Sequence, residues 1–549
     1  MVDSGRISDE AIILAAYLKW GLGCTDYLLG DWAFALWDEA RGRLVLARDG
    51  SGMSGMYWCH SGNTVIFATQ IQAILAHPRV SRQPDPVFIA SVLTVFRDPA
   101  NADCTAFSGV RRLLPGYQLI ADRTGIRVTR WWHPERLRPL KLSSQQDYYD
   151  AFLALYSDAV RRCISSDAGI GAALSGGLDS GSAVVLASQI LGRQGRRLRA
   201  YVHRPNHEHG GNERKISDEY ELARLTAEHA GNVELCPLQS ADVSIIQALR
   251  TALRIHGAPI HGAMNQFWIV DLLSHAKVAG TKVLLTGQAG NATVSFSGTG
   301  SLLKLIQAGR FFKVMRELSR DEAGLYRSVR HRIGRPLLTP VRRWLGLAEA
   351  KSSASPWSTY SAIGRNLADQ VNLQSRMIDA GHDPFLRHAL FGATQMRAFR
   401  LAEARGQWSG HLWMEKGLHF GLDIRDPTAD RRIVEFCWQV PDEVFWANGK
   451  QRGLIREGMR GYLPAAVLEN SRRGLQSADI ALRISAQRDE IRATMTEIES
   501  HPLCRNWLDI QRMKKLLDDI IREPLGIEQH QSSAILLRAI STGLFLAKF

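Results

Sequence analysis

Two periodicities divide the chain. Over its first 135 residues apolar and polar positions alternate in short runs, at 32–37, 44–47, 57–59 and 65–68, each bounded by Gly, Asp or Ser. Runs at 117–121 and 126–131 flank Asp122-Arg123-Thr124-Gly125, a hairpin turn with Gly where positive φ is easiest. Residues 11–22 carry an amphipathic helical pattern ahead of them. The first part therefore predicts a mostly antiparallel sheet, and the polar stretch from His133-Pro134 to Ser144-Gln145 reads as a linker. Beyond it the period becomes 3.6, with Phe152, Tyr156, Val160 and Cys163 on one face of a helix.

From there strands and helices alternate. Strands are predicted at 170–174, 198–202, 232–236 and 282–286, and helices at 180–191, 219–230, 245–255 and 267–277. Such alternation implies a doubly wound parallel sheet, with ligands at the carboxyl ends of its strands. Past residue 300 the pattern is overwhelmingly helical. The expected fold class is α/β, divided into 1–140 and 141–549, with a helical basic insert near 301–400.

Composition changes little in this picture. Hydrophobic residues are 45% and charged residues 22% of 549, an ordinary globular balance that excludes a disordered chain. No apolar run approaches the ~20 residues of a spanning helix, and no signal core follows Met1, so the expectation is a cytoplasmic protein without stable membrane insertion. Seven scattered cysteines without a C-x-x-C pair read as free thiols. The net charge of +14 is concentrated: the segment 301–344 holds eleven Lys/Arg against three acids and supplies +8. An acidic leader segment or partner protein would suit that stretch, as would a plain solvated helical surface.

The chemistry lies where the strand at 170–174 runs into Ser175-Gly176-Gly177-Leu178-Asp179-Ser180 and then a helix. Two glycines admit close approach of a ligand, and hydroxyls with free N–H groups at a helix start cradle phosphate. Asp179 would not attract an anion, so its sensible role is to hold Mg²⁺ bridging phosphates.

This hexapeptide resembles the pyrophosphate loop of the ATP pyrophosphatase superfamily, and no Walker A pattern is present. Gly30-Asp31-Trp32-Ala33-Phe34-Ala35-Leu36-Trp37-Asp38, Leu46-Ala47-Arg48-Asp49-Gly50 and Leu114-Pro115-Gly116-Tyr117 resemble the amino-terminal domain of asparagine synthetase B. Leu454-Ile455-Arg456-Glu457 and Tyr462-Leu463-Pro464 resemble its carboxyl-terminal helices. The resemblance implies residues 1–140 as the remnant of a class II glutaminase-like domain and 141–549 as the adenylating domain. ATP and Mg²⁺ are the implied cofactors, with Ser175, Gly176, Gly177, Asp179, Ser180, Thr286, Gly287 and Gln288 around the nucleotide.

Three departures from the asparagine synthetase pattern stand out. The family's nucleophilic amino-terminal Cys is not seen, since residue 2 is Val and the first cysteine is Cys24, so no glutaminase activity is expected. The family's Gly-Glu-Gly-Ser-Asp-Glu is here Gly287-Gln288-Ala289-Gly290-Asn291-Ala292, which leaves Asp179 and Asn291 as the expected metal ligands. Its transition-state lysine falls on Arg452, which stays charged near neutrality and acts only as a clamp, with Lys450 the alternative cation.

Gly287-Gln288-x-Gly290-Asn291-Ala292-Thr293, Arg425-Asp426-Pro427-Thr428-Ala429-Asp430 and Arg473-Gly474-Leu475-Gln476-Ser477-Ala478-Asp479 resemble the lasso-peptide cyclases, homologues that lack the glutaminase Cys. That resemblance implies adenylation of an Asp or Glu side chain in a ribosomal precursor peptide, closed to a macrolactam by the peptide's own α-amine with release of AMP and pyrophosphate. The implied partners are the precursor peptide and a leader peptidase or leader-binding protein of the same pathway, not nucleic acid. An amidotransferase fed by free ammonia and a degenerate nucleotide-binding scaffold are the alternatives.

Overall fold

The computed structural model describes residues 7–549 except 166–167, 208–214, 299–304, 307–308, 313, 316–354, 383, 386–409 and 448. Most of the basic segment 301–344, and most of the expected insert near 301–400, lies outside the described residues.

Helix α1 (Asp9–Trp20) opens with Ser8 capping the Ala11 N–H. Two antiparallel sheets follow. Strands β1 (Ala33–Asp38), β2 (Arg43–Arg48), β3 (Tyr57–Ser61), β4 (Thr64–Ala68), β5 (Arg111–Arg112), β6 (Tyr117–Asp122) and β7 (Gly125–Arg130) pair as β1-β2-β6-β7 and β4-β3-β5. The expected hairpin is there, with Gly125 at φ 119°. Two helices between β4 and β5 in the chain, α2 (Ile71–Leu75) and α3 (Pro86–Thr94), add to the predicted elements; Asp85 caps α3 ahead of Pro86, a start signal hidden in a polar stretch. Arg48 is fully buried, and its guanidinium donates to the carbonyls of Ser54, Leu113 and Gly52 at 2.6–2.8 Å. The Leu-Ala-Arg-Asp-Gly motif is thus a structural tie.

The second part alternates as its pattern predicts: α4 (Gln145–Cys163), β8 (Ile170–Ala173), α5 (Leu178–Gly192), β9 (Leu198–His203), the two-residue β10 (Lys215–Ile216), α6 (Tyr220–Ala230), β11 (Val233–Leu238), α7 (Ile245–His256), α8 (Gln266–Val278) and β12 (Val283–Leu285). Far along the chain, α9 (Gly410–Phe420) leads into β13 (Asp423–Arg425), which pairs in parallel with β12 and completes a five-stranded parallel sheet, β11-β9-β8-β12-β13. Side chains alternate across it. Ala200, Val202, Val283 and Leu285 join α4 and α5 on one face, while Tyr201, Leu284 and Ile424 join α8 and α9 on the other. The strand ends are therefore held rigidly from both sides.

A third core merges both parts. Tyr57, Ile71, Ile74, Ile89 and Phe107 from the amino-terminal region pack with Leu249, Leu253 and the carboxyl-terminal helices, Leu536 and Phe545 included. Among the described residues no helix is long and apolar enough to cross a membrane.

Candidate functional site

The site forms where β8 ends. Leu174 still donates to Tyr201 O at 2.8 Å, and then the chain turns sharply into α5, whose N-cap is Gly177. Two serines close the turn: the Ser175 N–H donates to Ser180 Oγ at 3.0 Å, the two hydroxyls lie 3.0 Å apart, and the Gly177 N–H donates to Ser175 Oγ at 3.2 Å. Gly176 has no room for a side chain, since a methyl there would lie 2.8 Å from Leu222 Cβ. Asp179 stands in the first turn of α5, where the positive end of the helix dipole faces the cleft.

A second loop follows β12 and packs directly on the first. A methyl on Gly287 would lie 2.8 Å from the Asp179 carbonyl carbon, and one on Gly290 would collide with the Asp179 carboxyl group. The glycines in this loop are therefore set by contact with Asp179. The loop is pinned from below by the turn after β13, where Asp426 Oδ2 accepts from the Ala289 N–H at 2.9 Å and Thr428 O accepts from the Thr293 hydroxyl at 2.9 Å.

The third wall comes from the short hairpin β14 (Trp446–Ala447) and β15 (Lys450–Gln451) and the helix α10 (Gly453–Gly458). Arg452 heads α10 in the left-handed region, φ 65°, and its Nη2 donates to Asn291 Oδ1 at 3.2 Å. A non-Gly residue held there is strained, which aims the guanidinium into the cleft. The two-residue β16 (Arg473–Gly474) pairs in parallel with β10 and closes the last side.

Together these walls enclose a cavity of about 340 Å³. Ser175, Gly176, Gly177, Asp179, Ser180, Gly287, Gln288, Asn291 and Arg452 all line it. Two expected residues do not. Thr286 is buried behind the loop, its N–H bound to Arg425 O, and Lys450 sits on β15 outside the lining. Glu219, His203 and Arg472 line the cleft as well, and nothing in the local pattern singles them out. Asp218-Glu219 ahead of a helix reads only as a helix start.

Asp179 Oδ1 is buried without a hydrogen-bond partner. Burial pushes its carboxyl up, opposed by the Ser295 hydroxyl and the Arg452 guanidinium. Asp426, deeper still, is pushed up to about 6 by burial, against the pull of its hydrogen bonds from Thr428 and Ala289. Among the described residues no three His, Cys, Asp or Glu side chains gather into a metal-binding group. Mg²⁺ does not need one, because it takes one or two carboxylates plus phosphate oxygens and water. The orphaned Asp179 oxygen, in a cradle that a Cβ at position 290 would fill, fits that requirement.

Comparison with known proteins now decides the family. The asparagine synthase family model matches residues 151–542, and the glutamine amidotransferase domain model matches 5–132. The chain belongs to the asparagine synthase family. Membership makes it an ATP-dependent amide-forming ligase. Among relatives, asparagine synthetase (glutamine-hydrolyzing) 3 of Bacillus subtilis is 26% identical over 487 residues, covering 84% of this chain and 70% of its own. Amidase chyE of Penicillium rubens is 31% identical over 198 residues, 35% of this chain and 28% of its own. A putative asparagine synthetase of Methanocaldococcus jannaschii is 29% identical over 181 residues, 32% of this chain and 34% of its own. The last two likenesses thus span about a third of those relatives' own length.

Proposed function

We propose that this protein is a macrolactam synthetase of the lasso-peptide cyclase type. It adenylates an Asp or Glu side chain of a precursor peptide and lets the peptide's own α-amine close the ring. One convergence carries the reading: two of the three segments that resemble those cyclases line a single cleft, and the third pins one of them from behind. Residues 287–293 pack on Asp179, Asp426 holds Ala289, and residues 473–478 form the facing wall. Cys24, Cys59 and Cys104, the thiols within residues 7–140, are unsuited to attack glutamine, because burial pushes each of them up, away from the reactive thiolate.

The residues divide the work by charge and reach. The Ser175–Ser180 turn binds the phosphates through backbone N–H groups and hydroxyls. Asp179, with the Asn291 amide oxygen, would hold Mg²⁺, which when bound draws charge off the phosphates. Arg452, permanently cationic, stabilises the charge that builds as pyrophosphate leaves. A tethered amine then has a large advantage over free ammonia, since effective molarities of well-placed intramolecular groups reach about 10⁵ M or more.

The test is mass spectrometry on the protein, Mg-ATP and a leader-processed linear peptide. A product lighter by one water, linked between its first residue and an internal Asp or Glu, is expected together with AMP and pyrophosphate. Asparagine formed from aspartate and ammonium, with the peptide untouched, would transfer the assignment to the amidotransferase.

A further inference from the structure

Amide formation from an activated carboxyl needs a neutral amine, and near neutrality an α-amine is largely an ammonium. Something in the cleft must take its proton. Gln288, at the position where the family pattern has Glu, cannot. Among the described residues lining the cleft, the other titratable groups are Asp179, Glu219, His203, Tyr201 and the guanidiniums of Arg452, Arg472 and Arg473. Arginine does not accept a proton. Asp179 belongs to the phosphate and metal side, and the Tyr201 hydroxyl is engaged with Thr281 at 3.0 Å. His203 is stacked on Trp268, and burial brings it down to about 4, too weak a base for an amine.

Glu219 remains, and its placement fits. It is held between the two walls that meet over the cleft: its Cβ lies 3.1 Å from where a side chain on Gly176 would begin, and its carboxylate abuts Gly474, which could bear no side chain there. Glu219 is the N-cap residue of α6, yet its side chain makes no capping hydrogen bond to that helix. Two neighbouring cations are committed elsewhere, Arg204 to Asp218 at 2.8 Å and Arg224 to Glu221 and Glu228. Burial and the Asp218 charge push Glu219 up, toward the range in which a carboxylate works as a general base.

Resting on the cyclase reading, we propose that Glu219 is the catalytic base for the attacking amine. Its carboxylate receives the substrate's ammonium as an ion pair and takes one proton. The freed nitrogen lone pair forms the C–N bond to the acyl carbon, and the C–O bond to AMP breaks with its electron pair leaving on the phosphate. The second nitrogen proton passes to solvent, and Glu219 returns its own there.

The experiment separates activation from closure, using the full chain and the same linear peptide. Glu219→Gln is isosteric against Gly474 and keeps the fold. It is expected to retain peptide-dependent exchange of pyrophosphate into ATP while ring closure falls by about 10² or more. Hydroxylamine, already unprotonated at neutral pH, needs no base, so trapping of the activated peptide as a hydroxamate stays at the wild-type rate. Glu219→Asp should restore part of the closure. Loss of exchange in parallel with closure would place Glu219 on the nucleotide side and overturn the proposal, as would unchanged closure. If the wild type closes no peptide but still makes an amide from another amine, the cyclase reading fails, and the same comparison of Gln variant and hydroxylamine, run with that amine, judges Glu219.

Discussion

Asp179 and Glu415 are both carboxylates that burial pushes up, and they have opposite surroundings. Glu415, on α9, is 1% exposed, and both its oxygens are satisfied: the Tyr57 hydroxyl donates to Oε1 at 2.7 Å, and His256 Nδ1 meets Oε2 at 2.6 Å. It ties β3 of the amino-terminal region to α7, deep in the shared core. Asp179 keeps an oxygen that no protein group satisfies, at the wall of an open cleft. Leaving a buried polar group unpaired costs about 1–3 kcal/mol, so a protein tolerates it where a ligand completes the site. One carboxylate is thus closed within the fold and the other is left with an oxygen open to a ligand.

The largest effect should come from Asp179→Asn, which keeps the shape and removes the charge. Conversion of ATP to AMP and pyrophosphate is expected to fall by about 10³, with thermal stability of the free protein unchanged or raised. A turnover assay beside a melting curve decides this. ADP as product, or turnover within threefold of wild type, would break the contrast with Glu415.

Glu415→Gln should do the reverse and change stability. Burial raises this carboxyl from 4.5 to about 7, so the folded state prefers it protonated. Its stabilising contribution is complete below the unfolded pKa and is lost as pH rises to about 7, a change of about 3 kcal/mol. Glutamine retains a hydrogen-bonding group without the charge. The variant's melting temperature should therefore gain on the wild type between about pH 4.5 and 7, and level off above. Melting curves that stay parallel across that window would show that Glu415 is ionised in the fold.

Within the cleft the comparison can be sharpened on two cations two residues apart. Arg452 reaches Asn291, and Lys450 lies outside the lining. Arg452→Ala is expected to lower pyrophosphate release by about 10², and Lys450→Ala by less than twofold. Equal losses would move the electrostatic role onto the hairpin as a whole.

The parts of this molecule that follow a local rule are legible in the chain. Hairpin β6–β7, the β/α alternation and the turn at Ser175–Ser180 each carry their period or turn residues within a short window, and they fold accordingly. Strand β13 escapes such a reading because three residues, Asp423–Arg425, carry no period, and its partner β12 lies more than 130 residues earlier. Glu219 escapes for a related reason. Its meaning comes from Gly176 and Gly474, which only the tertiary fold brings to it. Thr286, adjacent to Gly287 in sequence, shows the converse: the strand end turns it inward while its neighbour meets the cleft.

The smallest effect concerns Cys24. It lies in the turn Gly21–Asp26, is 1% exposed and packs among Tyr17, Leu28, Phe34 and Val45. A thiol that attacks glutamine must be reachable and easily ionised, and burial makes this one neither. It behaves as a small apolar side chain. Cys24→Ala should cost about 1 kcal/mol through a minor cavity and leave amide formation unchanged. Glutamate release from glutamine should match the no-enzyme background in wild type and variant alike. Release by the wild type that disappears with Cys24→Ala would make this region a working glutaminase, and nitrogen supply would have to be rethought from that thiol outward.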